Sequence, residues 1–93
     1  MSLAETIRAK LVAALDPVRL VIKDESHLHA GHAGARQGGE SHFRVLVVSR
    51  AFEGLSPVMR QRAVNAALKQ ELAGPVHALA LKTLTPAEFS AAH

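Results

Sequence analysis

Histidine is the residue type in this chain best suited to bind a metal, and four histidines stand where a site could form. Three lie close together in a glycine-rich stretch, as His27, His29 and His32. His77 instead opens an apolar run. A neutral imidazole is the commonest metal ligand in proteins, but a histidine at a strand end is also an ordinary hydrogen-bonded group. Spacing alone therefore favours a solvated loop for the first three and a boundary residue for His77, with a metal site as the alternative.

The chain contains no cysteine, which limits the chemistry open to it. It cannot form disulfides, use a thiol nucleophile, or hold a zinc or iron-sulfur site with its own thiolates. Any metal site must use histidines and carboxylates, or borrow ligands from a partner. There is also no serine elbow, no phosphate-binding loop and no paired carboxylates in an evident pocket. We therefore expect a protein that is not an enzyme.

The positive charges offer a second kind of site. The chain has 11 Lys and Arg against 8 acids, for a formal net charge of +3. Arg60 and Arg62 fall in the first turns of a predicted helix, where cations oppose the helix dipole, so a surface or interface role is indicated. Together with Lys69 they could contact phosphates. The scarcity of aromatic residues, three Phe with no Trp or Tyr, argues against an RNA-binding platform that stacks bases.

Length and hydropathy indicate one domain over residues 1–93 with a single core. No apolar run approaches the roughly 20 residues that span a bilayer, and no signal-peptide pattern precedes the first helix. We expect a cytoplasmic location and no membrane partner.

Periodicity and capping signals predict six elements that must position these residues. A capping box at Ser2 begins a helix that runs to about Leu15. Two strands of alternating hydropathy are joined by a long loop, Glu25 to Glu40. The elements in order are a helix to Leu15, strands at Val18–Asp24 and Ser41–Ser49, a helix from Ser56 to about Ala73, a strand ending at Leu84, and a short helix after Thr85.

The third strand is the element around which the others are expected to pack. The run from Gly74 to Leu81 is apolar on both faces except for His77, which predicts a covered, central strand. Gly74 is predicted to end the preceding helix in the left-handed conformation. The open face of the sheet is expected to carry His42 and the cations Arg19, Lys23, Arg44 and Lys82, read as solvated side chains. The fold class is α+β, order α-β-β-α-β-α, with a three-stranded sheet and helices on one face.

Several short motifs resemble the BolA family in order and spacing. They are Asp24-Glu25-Ser26, His29, Glu40-Ser41-His42-Phe43, Val47-Val48-Ser49, Phe52-Glu53-Gly54-Leu55-Ser56, Arg60 with Arg62, Val76-His77-Ala78-Leu79 and Thr85-Pro86. The resemblance covers about Val18 to Phe89. It implies a BolA fold, similar to a class II KH domain, in a protein that is a monomer or a weak dimer when free.

The resemblance also implies a partner and a cofactor. BolA-like proteins pair with monothiol glutaredoxins and can share a bridging 2Fe-2S cluster, for which the glutaredoxin cysteine and a bound glutathione supply sulfur. The family's Val-His-Ala-Leu histidine matches His77. The loop ligand matches His29 best, with His27 and His32 as rivals. The implied function is iron-sulfur trafficking or iron sensing.

A DNA-binding transcriptional regulator with a KH-like surface is the alternative function, and it would use Arg60, Arg62 and Lys69. Two departures from the family pattern bear on it. The chain has Arg60-Gln61-Arg62 and then Asn65, where the family usually has Arg-His-Arg and a nearby tyrosine. The Gly-x-x-Gly loop with which KH domains clamp a nucleic-acid backbone is missing, since Gly54 is followed by Leu55, Ser56 and Pro57.

Overall fold

The computed structural model describes residues 2–25, 42–74, 76 and 78–92. Their order of elements confirms the predicted α+β class and the α-β-β-α-β-α order, with the second helix broken in two at Leu68. The elements are α1 (Leu3–Leu15), β1 (Arg19–Asp24), β2 (His42–Val48), a 3₁₀ helix (Arg50–Phe52), α2 (Pro57–Ala67), α3 (Lys69–Ala73), β3 (Ala78–Leu84) and α4 (Pro86–Ala92).

The predicted helix starts are confirmed by their capping bonds. The Ser2 hydroxyl accepts from the Glu5 amide at 3.1 Å, and the Ser56 hydroxyl accepts from the Met59 amide at 3.3 Å. At α4 the box is reciprocal: the Glu88 amide donates to the Thr85 hydroxyl at 3.2 Å, and the Thr85 amide donates to the Glu88 carboxylate at 2.8 Å. Each bond satisfies an amide that the first helical turn leaves free.

The three strands form one sheet in the order β1-β2-β3. β1 and β2 pair antiparallel as a hairpin, whereas β3 pairs parallel to β2 after the α2–α3 crossover. The prediction of a central third strand is therefore wrong, because β2 is the central strand and β3 lies at an edge. The error has a physical reason: Ala78 and Ala80 are apolar enough to suggest burial on both faces, yet these small side chains are exposed.

One face of the sheet carries the core. Phe43, Val45 and Val47 of β2 are buried on it, as their alternation predicted. Helices α1 and α2 cover this face, and their buried members are Ile7, Leu11, Leu15 and Val64. Val18 does not join them, since β1 begins one residue later and Val18 is 59% exposed.

Gly74 does not adopt the predicted left-handed conformation. Its φ is −121° and its ψ is −105°. The Glu71 carbonyl at the end of α3 instead accepts from the amides of Gly74, at 3.2 Å, and Val76, at 3.0 Å, so no left-handed residue is needed to satisfy it. The described residues with positive φ are Asp16, which caps α1, and Gly54. None of the described helices is long and apolar enough to cross a membrane.

Candidate functional site

One end of the sheet brings three chain segments together. Because β2 and β3 run parallel, both begin at this end, where His42 is paired with Ala78. β1 finishes there, and the Glu25 amide donates to the His42 carbonyl at 2.8 Å. The end of β1 and the starts of β2 and β3 therefore lie side by side.

The histidines predicted as ligands adjoin this end of the sheet in the sequence. His77 immediately precedes Ala78, and residues 26–41, which include His27, His29 and His32, connect Glu25 to His42. All four histidines lie outside the described residues, so their assignment as ligands stays a prediction. Glu25, His42 and Ala78, the described residues next to these two segments, lie at one end of the sheet. A site shared by the two segments would require this.

The donor set decides which kind of metal site suits this chain. Among the described residues, no group of three or more His, Cys, Asp or Glu side chains could hold a metal ion. The Glu25 carboxylate, beside this end, accepts from the Arg44 guanidinium at 3.2 Å. Because the chain has no cysteine, it could not hold an iron-sulfur cluster with its own thiolates, and sulfur ligands would have to come from a partner.

Arg60 is held by contacts within the chain. Its side chain is 11% exposed and donates to the carbonyls of Leu55, at 2.9 Å, and Thr83, at 3.4 Å. It also forms a two-pronged ion pair with Glu88, at 2.6 and 3.3 Å. The Arg60 hydrogen bond, followed by the bond from the Thr85 amide, lowers the pKa of Glu88 below its usual value of 4.5. This network accounts for the cation near the helix start without an external phosphate.

Arg62 and Lys69 are the two predicted phosphate-binding residues that lie exposed. Arg62 is on α2, where its guanidinium approaches the Met59 sulfur at 3.9 Å, and Lys69 begins α3. Both charges are accessible to an anionic partner, whereas the guanidinium of Arg60, the third predicted phosphate-binding residue, is engaged within the chain.

The opposite face of the sheet carries a groove that the sequence analysis did not identify. It lies between β2 and β3, has a volume of about 380 Å³, and is lined by Arg44, Val45, Leu46, Ala80, Leu81, Lys82 and Leu84. The alternation of β2 directs the side chains of Arg44 and Leu46 to this face, whereas those of Phe43 and Val45 pack in the core. That period was visible in the sequence, but the register that puts Lys82 beside Leu46 was not.

This chain belongs to the BolA-like protein family, whose pattern it matches over residues 11–88. It is 57% identical over 83 residues to BolA-like protein 1 of Bos taurus, covering 89% of this chain and 58% of the bovine protein. The chain thus spans little more than half the length of that relative.

Two further relatives extend the comparison to bacteria and plants. A Vibrio cholerae protein named DNA-binding transcriptional regulator BolA is 44% identical over 85 residues, covering 91% of this chain and 76% of that protein. The solved BolA domain of SufE1 from Arabidopsis thaliana superposes with a TM-score of 0.83 at 44% identity, covering 95% of this chain and 96% of that one. The BolA fold implied by the resemblance is thereby confirmed.

Proposed function

We propose that this chain is a non-enzymatic partner of a monothiol glutaredoxin and completes a bridging 2Fe-2S cluster through His77 and His29. One observation carries the proposal: the described ends of β1, β2 and β3 meet at one end of the sheet, so the segments that contain both histidines start from neighbouring points. The partner's cysteine and a glutathione thiol would supply the sulfur ligands that this chain lacks. The cytoplasm stays the expected compartment.

The part played by this chain is to offer two neutral imidazoles from the segments that adjoin this end of the sheet. The cluster, when bound, supplies a labile iron-sulfur unit for transfer or iron sensing, and histidine ligation raises its reduction potential. Because only the neutral imidazole has a lone pair for the metal, protons compete with binding. Complex formation with the cluster should therefore weaken as the pH falls through the imidazole range.

The proposal is tested by anaerobic reconstitution of the protein with a monothiol glutaredoxin, iron, sulfide and glutathione, followed by visible circular dichroism. We expect a heterodimer spectrum distinct from that of the glutaredoxin homodimer. His77→Ala and His29→Ala should each alter it. Matched controls are His27→Ala and His32→Ala in the same segment, and His42→Ala at the start of β2, which should leave it unchanged.

The possible results separate the ligand assignment from the partnership. A heterodimer spectrum altered by His27→Ala or His32→Ala in place of His29→Ala would move the loop ligand to that residue. If the mixture gave only the homodimer spectrum, with the wild-type protein present in excess, the cluster function would be refuted for this chain.

A second candidate function is binding to DNA. It is favoured by the exposed cations Arg62 and Lys69 and by the name of the Vibrio cholerae relative. We expect a weak affinity for duplex DNA at low salt that falls as salt rises, because each neutralised phosphate releases counterions. Arg62→Ala and Lys69→Ala should each reduce the slope of log K against log salt by about 0.9, whereas no measurable binding at low salt would refute this function.

A further inference from the structure

The face of the sheet opposite α1 and α2 combines an apolar groove with positive charge. The groove is lined by the apolar residues Leu46, Ala80 and Leu84 and by the cations Arg44 and Lys82. On β1, Arg19 and Lys23 alternate with Leu20 and Ile22, which pack against the core. Both cations are exposed and therefore belong to the same face as the groove.

The charges on this face are poorly balanced. Four exposed cations share it with the Glu25 carboxylate, which bonds to Arg44 while the Arg44 side chain stays 63% exposed. Asp24, which follows Lys23, is paired with the core-facing Phe43 and so alternates toward the opposite face. The register also places Lys23 directly opposite Arg44 on neighbouring strands. Like charges in that position destabilise a sheet, so the stability of the fold does not explain the arrangement. An anionic ligand on this face would offset the repulsion.

The apolar part of the face lies among these charges. The register aligns Val21 of β1 with Leu46 of β2, and Leu46 with Lys82 of β3. Val21 and Leu46 thus form an aliphatic strip across β1 and β2, which ends at Lys82 on β3. The neighbouring pair on the same face, Lys23 and Arg44, borders the strip on one side. A ligand that matches it must carry an apolar side chain with negative charges on both sides of it.

We propose that this basic sheet face, formed by Arg19, Lys23, Arg44, Leu46, Ala80 and Lys82, docks an acidic protein segment. A leucine- or isoleucine-like side chain enters the groove, and flanking aspartates or glutamates pair with the cations. A protein segment suits the face better than a nucleic acid, because the lining of the groove is aliphatic and holds no aromatic ring for a base to stack on. The Phe89 ring beside the face already lies under the Arg19 guanidinium, 5.4 Å from the ring centroid. The inference is independent of the proposed function, since it uses neither His77 and His29 nor the cations of α2 and α3.

Three synthetic peptides test the chemistry of the face. The first has two central leucines flanked by aspartates and glutamates; the second replaces the acids by asparagine and glutamine; the third keeps the acids and replaces the leucines by serine. Affinity is measured by fluorescence anisotropy at low and at physiological ionic strength. Only the first peptide should bind well, and its binding should weaken with salt.

Charge reversals locate the site. Arg44→Glu/Lys82→Glu should weaken binding of the first peptide about tenfold or more at low salt, since each lost attraction becomes a repulsion. Arg62→Glu/Lys69→Glu, which reverses two cations that are also exposed but lie on α2 and α3, should change it less than about twofold. Lys82→Glu alone leaves the Glu25–Arg44 ion pair intact. Weaker binding in this variant would therefore reflect the lost contact between Lys82 and the peptide, and not a disturbance of the β1–β2 hairpin. Far-ultraviolet circular dichroism verifies that each variant is folded.

Three results would overturn the inference. One is that the serine peptide binds as tightly as the leucine peptide, because binding would then need only negative charge and no apolar side chain. Another is binding of the first peptide that the Arg44→Glu/Lys82→Glu variant leaves unchanged. The third is displacement of the peptide by a short duplex DNA with amide chemical-shift changes confined to β1, β2 and β3, which would assign the face to nucleic acid.

Discussion

Arg60 lies near the helix start, where a cation is electrostatically unfavourable, but its side chain makes favourable contacts with other parts of the folded chain. A cation in the first turn of α2 opposes the helix dipole. Its guanidinium, however, reaches the Leu55 and Thr83 carbonyls and the Glu88 carboxylate, which lie before α2, at the end of β3 and on α4. The side chain thereby ties the start of α2 to the end of β3 and to α4, which lie more than twenty residues farther along the chain.

Replacing Arg60 should cost stability even though no apolar core is disturbed. We expect Arg60→Ala to lower the free energy of unfolding by about 2 kcal/mol, because partly buried carbonyls lose a charged donor. Arg60→Lys should recover only part of it, since an ammonium cannot form the two-pronged pair. Arg62→Ala, at an exposed site, should stay within about 0.5 kcal/mol of wild type. Urea denaturation would measure all three, and equal losses for Arg60→Ala and Arg62→Ala would contradict the network.

The same network predicts an acid-dependent loss of stability. The pKa of Glu88 is lowered in the folded protein from 4.5, so its contribution is fully present above that pH. It is lost as the pH falls through the lower folded value, because the carboxylate must then be protonated. Glu88→Gln should flatten this part of the melting temperature's dependence on pH. An unchanged pH profile in Glu88→Gln would remove Glu88 from the network.

At the scale of elements, the turn between the 3₁₀ helix and α2 depends on one backbone conformation. Gly54 has a φ of 80°, and a Cβ built on it would lie more than 4 Å from every described residue other than its two chain neighbours. A substitution there is therefore opposed by the backbone conformation and not by crowding. We expect Gly54→Ala to destabilise the protein by about 1 kcal/mol, and Gly54→Asn by less, since asparagine tolerates left-handed angles better. Thermal melts of both variants would measure the difference, and a neutral Gly54→Ala would contradict it.

Local signals predicted the elements well, because each depends on a few neighbouring residues. The Ser2, Ser56 and Thr85 caps and the alternation of Phe43, Val45 and Val47 were readable from the sequence and are confirmed. Strand order was not readable in this way. It depends on which edges pair across the sheet, and an apolar run of alanines and leucines suits an edge strand as well as a central one.

At the scale of the molecule, one lysine connects the first helix to the second half of the chain. Lys10 donates to Gln70 at 2.8 Å and to Glu71 at 2.7 Å. The Glu71 side chain is only 9% exposed, and one of its carboxylate oxygens is buried with no hydrogen-bond partner among the described residues. The carboxylate therefore depends on Lys10 for compensation.

Removing Lys10 should thus cost more than a surface ion pair normally contributes. We expect Lys10→Ala to lower the free energy of unfolding by about 1–3 kcal/mol, because it leaves a buried charge without its partner. The double variant Lys10→Met/Glu71→Leu should recover much of the loss. Arg8→Ala, exposed on the same helix, is the matched control. A double variant less stable than Lys10→Ala would contradict this account.

The candidate site was predictable to a different extent at each residue. The motif around His77 led to the family, which is confirmed, while the ligand roles of His77 and His29 stay predictions. The role of Arg60 was hidden, because its partners Thr83 and Glu88 lie more than twenty residues away along the chain. The basic sheet face was partly predictable: alternation placed Arg19, Lys23, Arg44 and Lys82 on the open face of the sheet. The register that sets Lys23 opposite Arg44 and Lys82 beside Leu46 comes only from the fold.

The edge position of β3 has a consequence for amide hydrogen exchange. A strand paired on one side directs about every second amide toward its neighbour and the others outward. In β2, which is paired on both sides, successive amides should exchange with deuterium only when the whole domain opens. Along β3 the protection should alternate between slow and fast residues, so the outward amides from Ala78 to Leu84 would report directly on any chain that adds to this edge.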